Sequence, residues 1–249
     1  MEYSKLFNKN SKLYLSSRPA YPKELYNYLN SICKERGVAW DCACGNGQVA
    51  IDLIRYFNKV YATDISENQI SNSIKHEGIE YYVQSSDKTN FKDNSFDLIC
   101  VAQALHWFNY DTFWSEVKRV LKKDGIFAAW GYSWFNIDKE IDTLIQSEFR
   151  EKIRTYWAPQ NKILWDNYEN INLPFKKINS PDIEMSIEWD INELFAYMQS
   201  WSATRLCIEA EGTDFYSNAY KKIKGIWGNE ENKKKVKMNF CMIVGRNEY

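Results

Sequence analysis

The spacing of apolar positions changes character along the chain, and each change predicts an element. From Pro22, the stretch PKELYNYLNSICKERG sets Leu25, Leu29, Ile32 and Cys33 on one helical face, with Pro22 at the start and Gly37 as a stop. A short apolar run ending near Trp40 predicts a strand. A glycine turn follows, and then a helix carrying Val49, Ala50, Leu53, Ile54 and Phe57 on one face. KVYATD predicts a second strand, and SENQISNSIKHEG a helix, with Ser66 and Gln69 at capping-box spacing and Gly78 as terminator. IEYYVQS and SFDLICVAQAL predict strands three and four, YDTFWSEVKRVLKKDG a helix opened by Asp111, and IFAAWGY strand five.

Beyond Tyr132 the alternation breaks. A long helical stretch around IDKEIDTLIQSEFREKIRTYW leads through an irregular part to a strand-like IEMSIEW and a helix from Asp190 capped by Glu193. KVKMNFCMIVG closes the chain with strand alternation. These patterns predict an α/β fold: a doubly wound, mostly parallel sheet of seven strands. They also predict one domain over 1–249, with an N-terminal segment, 1–36, and a helical cap, about 136–225, over the site.

Composition narrows the function. Lys and Arg number 32 against 33 Asp and Glu, so net charge favours neither nucleic acid nor an anionic membrane surface. No apolar segment predicts a leader or a membrane span, and the expectation is a soluble, unprocessed, cytoplasmic protein, either monomer or homodimer. The six cysteines form no C-x-x-C pair and read as buried thiols, and His76 and His106 lack ligand spacing, so no metal is expected. Chemistry on a small-molecule acceptor is what this leaves.

The turn itself reads VAWDCACGNGQVA from Val38 to Ala50. Gly45, Gly47 and Ala50 fit G-x-G-x-x-A, and Asp64, 19 residues after Gly45, stands where ribose hydroxyls would be bound. That pattern alone leaves a nicotinamide dinucleotide open. Asp41 changes the balance, because a carboxylate at the strand end repels a pyrophosphate but suits the ammonium and sulfonium of S-adenosylmethionine.

DCACGNG, VYATDIS, SSDKTNFKDNSFDLI, AQALHWF and EVKRVLKKDGIFAAW together resemble the class I S-adenosylmethionine-dependent methyltransferases, whose first motif is similar to D-x-G-x-G-x-G. Ala43 stands where the family's first glycine is usual. The resemblance implies a Rossmann-like fold in which Asp41, Gly45 and Gly47 hold the methionine end, with Ala43 and Gln48 in the same turn. It further implies Asp64 for the ribose, Ile65 for an adenine face, Ser86 with Asp87 for the adenine edge, Gln69 nearby, and Gln103 at the start of the loop lining the transfer site. LYLSSRPAYP, SENQI, QALHWF and QSWSATR resemble, more narrowly, the trans-aconitate methyltransferase group, which is similar to enzymes that esterify small carboxylic acids.

Methyl transfer from a sulfonium is an in-line displacement with an activated leaving group, so positioning dominates. A carboxylate acceptor needs a cation rather than a base, and the arginine fork suits it. Arg18 and Arg205 are the candidates. A protonated oxygen, nitrogen or carbon acceptor would need a base, for which His106 is placed beyond strand four. Trp107, Trp130, Tyr132 and Trp134, with Tyr21, are candidates for an acceptor wall. AQAL where adenine and amide N-methyltransferases carry an N/D-P-P-Y/F run argues against base-flipping DNA methylation. A cofactor-binding protein without transfer activity is a further alternative.

Overall fold

The computed structural model describes residues 18–248, so Leu13 to Ser17 of the LYLSSRPAYP stretch lie outside the described residues. Among the described residues eight strands build one sheet: β1 (Val38–Cys42), β2 (Lys59–Asp64), β3 (Ile79–Val83), β4 (Phe96–Ala102), β5 (Leu121–Asn136), β6 (Lys176–Ile178), β7 (Met185–Trp189) and β8 (Lys234–Arg246). The order is β3-β2-β1-β4-β5-β8-β6, parallel from β3 to β5, with β8 antiparallel to β5. Seven strands lie on this path; the pattern predicts six of them but not β6, and the strand it predicts at IEMSIEW is β7. The eighth, β7, pairs with β8 beyond β6. The region read as a cap therefore gives two strands to the main sheet, because β8 is long enough, at 13 residues, to pair with both in succession.

The helices are α1 (Lys23–Ile32), α2 (Ala50–Leu53), α3 (Glu67–Ser71), α4 (Tyr110–Val120), α5 (Lys139–Leu144), α6 (Glu151–Ile153), α7 (Asn161–Trp165), α8 (Ile191–Gln199), α9 (Ser202–Glu211) and α10 (Asp214–Trp227). Side-chain caps explain several starts. Ser66 accepts from the Gln69 backbone N–H, and Asp190 and Glu193 form the reciprocal capping box that the sequence predicts. Asn109, rather than Asp111, caps α4, its Oδ1 accepting from Asp111 N–H and Thr112 N–H. α3 ends at Ser71, well before Gly78. There Gly78 serves packing, since a Cβ would lie 2.6 Å from Ile54 Cδ1.

Alternation along the central strands sorts side chains onto two faces. Ala39, Leu98, Ile126 and Trp130 pack under Leu25, Leu29 and Leu53, while Trp40, Ile99 and Phe127 pack against Phe113 and Val117 of α4. A third cluster, with Tyr132, Phe135, Phe149, Phe195 and Met238, lies among α5 to α10. β5 joins the clusters. It pairs with β4 only as far as Trp130, then continues to Asn136 against β8 alone. One extra β5 residue lies between Tyr132 and Phe135, a bulge that places Ser133 and Trp134 beside the site described next. No helix among the described residues is long and apolar enough to cross a membrane.

Candidate functional site

The β1–α2 turn is wound by three residues in the left-handed region, Ala43 (φ 57°), Gly45 (φ 56°) and Gly47 (φ 88°). It is tied to β2: Cys44 N–H donates to the Thr63 carbonyl at 2.9 Å, and Gly45 N–H to Asp64 Oδ2 at 2.9 Å. The other Asp64 oxygen accepts from Ser66 N–H at 2.8 Å. Two backbone donors thus fix this carboxylate at the end of β2, leaving lone pairs to accept from a ligand.

The two glycines serve different ends. A Cβ at Gly47 would lie 2.1 Å from Tyr81 Oη, so this position is reserved for packing. A Cβ at Gly45 would find nothing nearer than Gln69 Oε1 at 4.0 Å, because the residue faces open space. That space is a cavity of about 350 Å³ beyond the C-terminal ends of the parallel strands, where open α/β sheets bind ligands. Of the predicted cofactor residues, Ala43, Gly45, Asp64, Ile65, Gln69 and Ser86 line it, as do Asp87 and Gln103. Ile65 stands at the rim, 64 % exposed.

Three predicted residues are placed differently. Asp41 is wholly buried behind the turn and is not on the cavity wall, since the parity of β1 turns it towards the Ala39 face. Burial pushes its carboxyl up to about 7 against the lowering effect of the Ala50 N–H, and Oδ2 has no hydrogen-bond partner among the described residues. Gly47 and Gln48 also stand off the wall, the Gln48 Nε2 donating to the Pro19 carbonyl at 3.2 Å.

A second cavity, of about 90 Å³, adjoins the first and shares Gln103 and Trp107 with it. It brings together Arg18, His106 and Arg205 from three distant stretches of chain, with Tyr132 beside them. The Arg18 guanidinium lies 5.4 Å from the Tyr197 ring centroid. His106 is buried, which pushes its imidazole down to about 4, and Nδ1 has no hydrogen-bond partner among the described residues. It is therefore neutral at physiological pH. Gln103, at the junction, is held in a left-handed conformation (φ 56°) by β5. Its N–H donates to the Trp130 carbonyl at 2.9 Å and its Nε2 to the Tyr132 carbonyl at 2.9 Å. A non-glycine residue so constrained at a strand exit is characteristic of functional sites.

Trp130 does not reach either cavity. It is fully buried in the core under α1, where Tyr21 meets it edge-on at 5.8 Å, and Tyr21 is likewise absent from both walls. Trp157, Trp165, Tyr197 and Trp201 of the second wall were not predicted. Ten tryptophans in 249 residues were the available signal, but the sequence does not say which of them converge. In the first cavity Gln84, Ser85, Phe108 and Asn109 were missed: Ser85 and Phe108 lie within the quoted SSDKTNFKDNSFDLI and AQALHWF stretches but were given no role, and Gln84 and Asn109 lie just outside them.

The arrangement resembles known proteins over most of its length. A family described as methyltransferase domain matches residues 40–129, from β1 into β5. A methyltransferase of Dictyostelium discoideum is 36% identical over 212 residues, 84% of this chain and 81% of its own. An S-adenosylmethionine-dependent methyltransferase of Saccharomyces cerevisiae is 29% identical over 212 residues, 75% of this chain and 70% of its own. The structure of a protein from Anaeromyxobacter dehalogenans, assigned as a type II methyltransferase, superposes with a TM-score of 0.86 at 30% identity, covering 92% of this chain and 97% of the other.

Proposed function

The chain belongs to the class I S-adenosylmethionine-dependent methyltransferases, and from that premise we propose that it methylates the oxygen of a small carboxylic acid. S-adenosylmethionine supplies, when bound, a methyl group on an activated sulfonium leaving group. The first cavity fits such a cofactor: Gly45 is open to it, Asp64 offers a backbone-fixed acceptor, and Asp41 puts behind the turn a buried carboxyl whose Oδ2 has no partner among the described residues. In our reading Asp64 holds the ribose and Ser86 with Asp87 the adenine edge. Asp41 acts on the cationic end through the low-dielectric interior rather than by contact, and is stabilised in its ionised form by that charge.

The observation that carries the acceptor assignment is the meeting of Arg18 and Arg205 in the small cavity joined to the first through Gln103 and Trp107. An arginine can hold one carboxylate oxygen while the other faces the methyl group, and a carboxylate has no proton to lose. The likeness of SSRPAYP and QSWSATR to the trans-aconitate methyltransferase group points the same way. A second reading, with an alcohol, amine or carbon acceptor, is supported by the place of His106 on the same wall, where Nδ1 has no hydrogen-bond partner among the described residues.

Kinetics with a panel of carboxylic acids, scored by base-labile methyl esters, separate the two. Arg18→Lys or Arg205→Lys keeps the charge and loses the fork, so acceptor KM should rise about tenfold or more while S-adenosylhomocysteine affinity holds. Unchanged acceptor kinetics in both variants would overturn the carboxylate assignment. Loss of activity in His106→Ala with an alcohol or amine acceptor would establish the second reading.

A further inference from the structure

The wall of the small cavity is more specialised than a carboxylate site requires. Trp134, Trp157, Trp165 and Trp201 line it, and the ring centroids of Trp134 lie 5.7, 5.3 and 5.7 Å from those of the other three. Trp157 meets Trp165 at 5.6 Å and Trp201 at 5.8 Å. Most of these pairs are edge-to-face, so the indoles brace one another into a continuous π surface. Tyr132, Tyr197 and Trp107 extend it. Among the described residues lining the cavity Leu164 is the one aliphatic side chain, and none is acidic.

Trp134 is fixed from a further direction: the Arg150 guanidinium lies 3.7 Å from its ring centroid. Arg150 closes a π-helical stretch, Ile145–Arg150, an irregularity often found at functional sites. Trp157 adds a polar signal, since its buried indole N–H has no acceptor among the described residues. An indole N–H can only donate, and a ligand oxygen would satisfy it.

Resting on the carboxylate reading above, we infer that the acceptor is an aromatic carboxylic acid of a single ring. The ring lies on the tryptophan surface and the carboxylate points to the arginines. Size weighs against more than one ring: a dry apolar cavity of ~150 Å³ encloses benzene, so this one, at about 90 Å³, has to widen to take a single ring, and fused rings would require a larger movement still. Shape favours a ring over an aliphatic chain, because rigid indole faces match a flat ligand and gain from ring quadrupoles beyond buried area.

The experiment compares benzoate with cyclohexanecarboxylate, alike in size and charge, titrated into protein saturated with S-adenosylhomocysteine and followed by tryptophan fluorescence and calorimetry. Benzoate should bind about tenfold more tightly, the gain expected of a ring contact of this kind. Equal affinities would overturn the aromatic inference and leave the carboxylate reading standing. Failure of both acids, with phenol binding instead, would overturn the carboxylate reading and this inference with it. Trp165→Leu should bring the benzoate preference to about one while S-adenosylhomocysteine affinity stays put, and Trp165→Phe should restore it. A preference that survives Trp165→Leu intact would place the ring elsewhere and sink the assignment.

Discussion

The two cavities are built by different means. The cavity we assign to the cofactor is made of strand ends and the loops that leave them: three left-handed residues within five positions, a carboxylate held by two backbone N–H groups, and segments that follow β1 to β4 in order. The cavity we assign to the acceptor is made of side chains from the start of the described chain, the β4 exit, the bulged end of β5, the segment before α7, α7, α8 and α9. Backbone-built sites tolerate variation in neighbouring side chains because the shape resides in φ and ψ. Side-chain-built sites change specificity with single replacements. The difference predicts that substitutions in the first region act on folding or cofactor affinity, and those in the second on the acceptor.

The largest effects should come from the paired glycines. Gly47→Ala forces a Cβ into the Tyr81 ring at a left-handed position, and should cost about 3 kcal/mol in urea denaturation. Gly45→Ala meets no such neighbour and should cost only about 1 kcal/mol, yet lose most cofactor affinity by calorimetry. Equal stability losses with intact binding would remove Gly45 from the site.

Acid and base behave oppositely in the two regions. The folded state holds His106 at about 4, below its ordinary 6.5, so between those values the unfolded chain binds more protons and stability rises with pH. The full contribution, on the order of 3 kcal/mol, is present above pH 6.5 and lost as pH falls to 4. Asp41 is raised to about 7, so its burial favours the folded state at low pH and that advantage fades as pH climbs from 4 to 7. The two slopes offset each other in the native protein. Denaturation at pH 5 and pH 7 should separate them: His106→Gln loses stability across that interval and Asp41→Asn gains it. Binding of a cationic cofactor should also drive a proton off Asp41 near pH 7, visible as buffer-dependent binding enthalpy that vanishes in Asp41→Asn.

The smallest effect concerns Ala43, which holds φ 57° where the family usually has glycine. Ala43→Gly should relieve that conformation and raise stability by about 0.5–1 kcal/mol in the same denaturation assay, with cofactor affinity unchanged. A loss of stability would mean that the methyl group packs well enough to outweigh the backbone cost.

What the sequence determined by itself is the local part. DCACGNG sets the turn, Asp64 follows it at the end of β2, and the alternation of strands and helices gives a parallel sheet with its binding crevice at the strand ends. These features are written within a few residues of one another, because hydrogen bonds, caps and glycine conformations act over short separations. Tertiary structure alone decided that Arg18, His106 and Arg205 share one cavity, and that Trp134, Trp157, Trp165 and Trp201 form its wall while Trp130, two residues before Tyr132, disappears into the core. It also turned Asp41 away from the cavity and added β7 to the sheet. Tryptophans that are core and tryptophans that are wall carry the same apolar signature in sequence. Only the β5 bulge, the length of β8 and the packing of the helices between them determine which rings face the site.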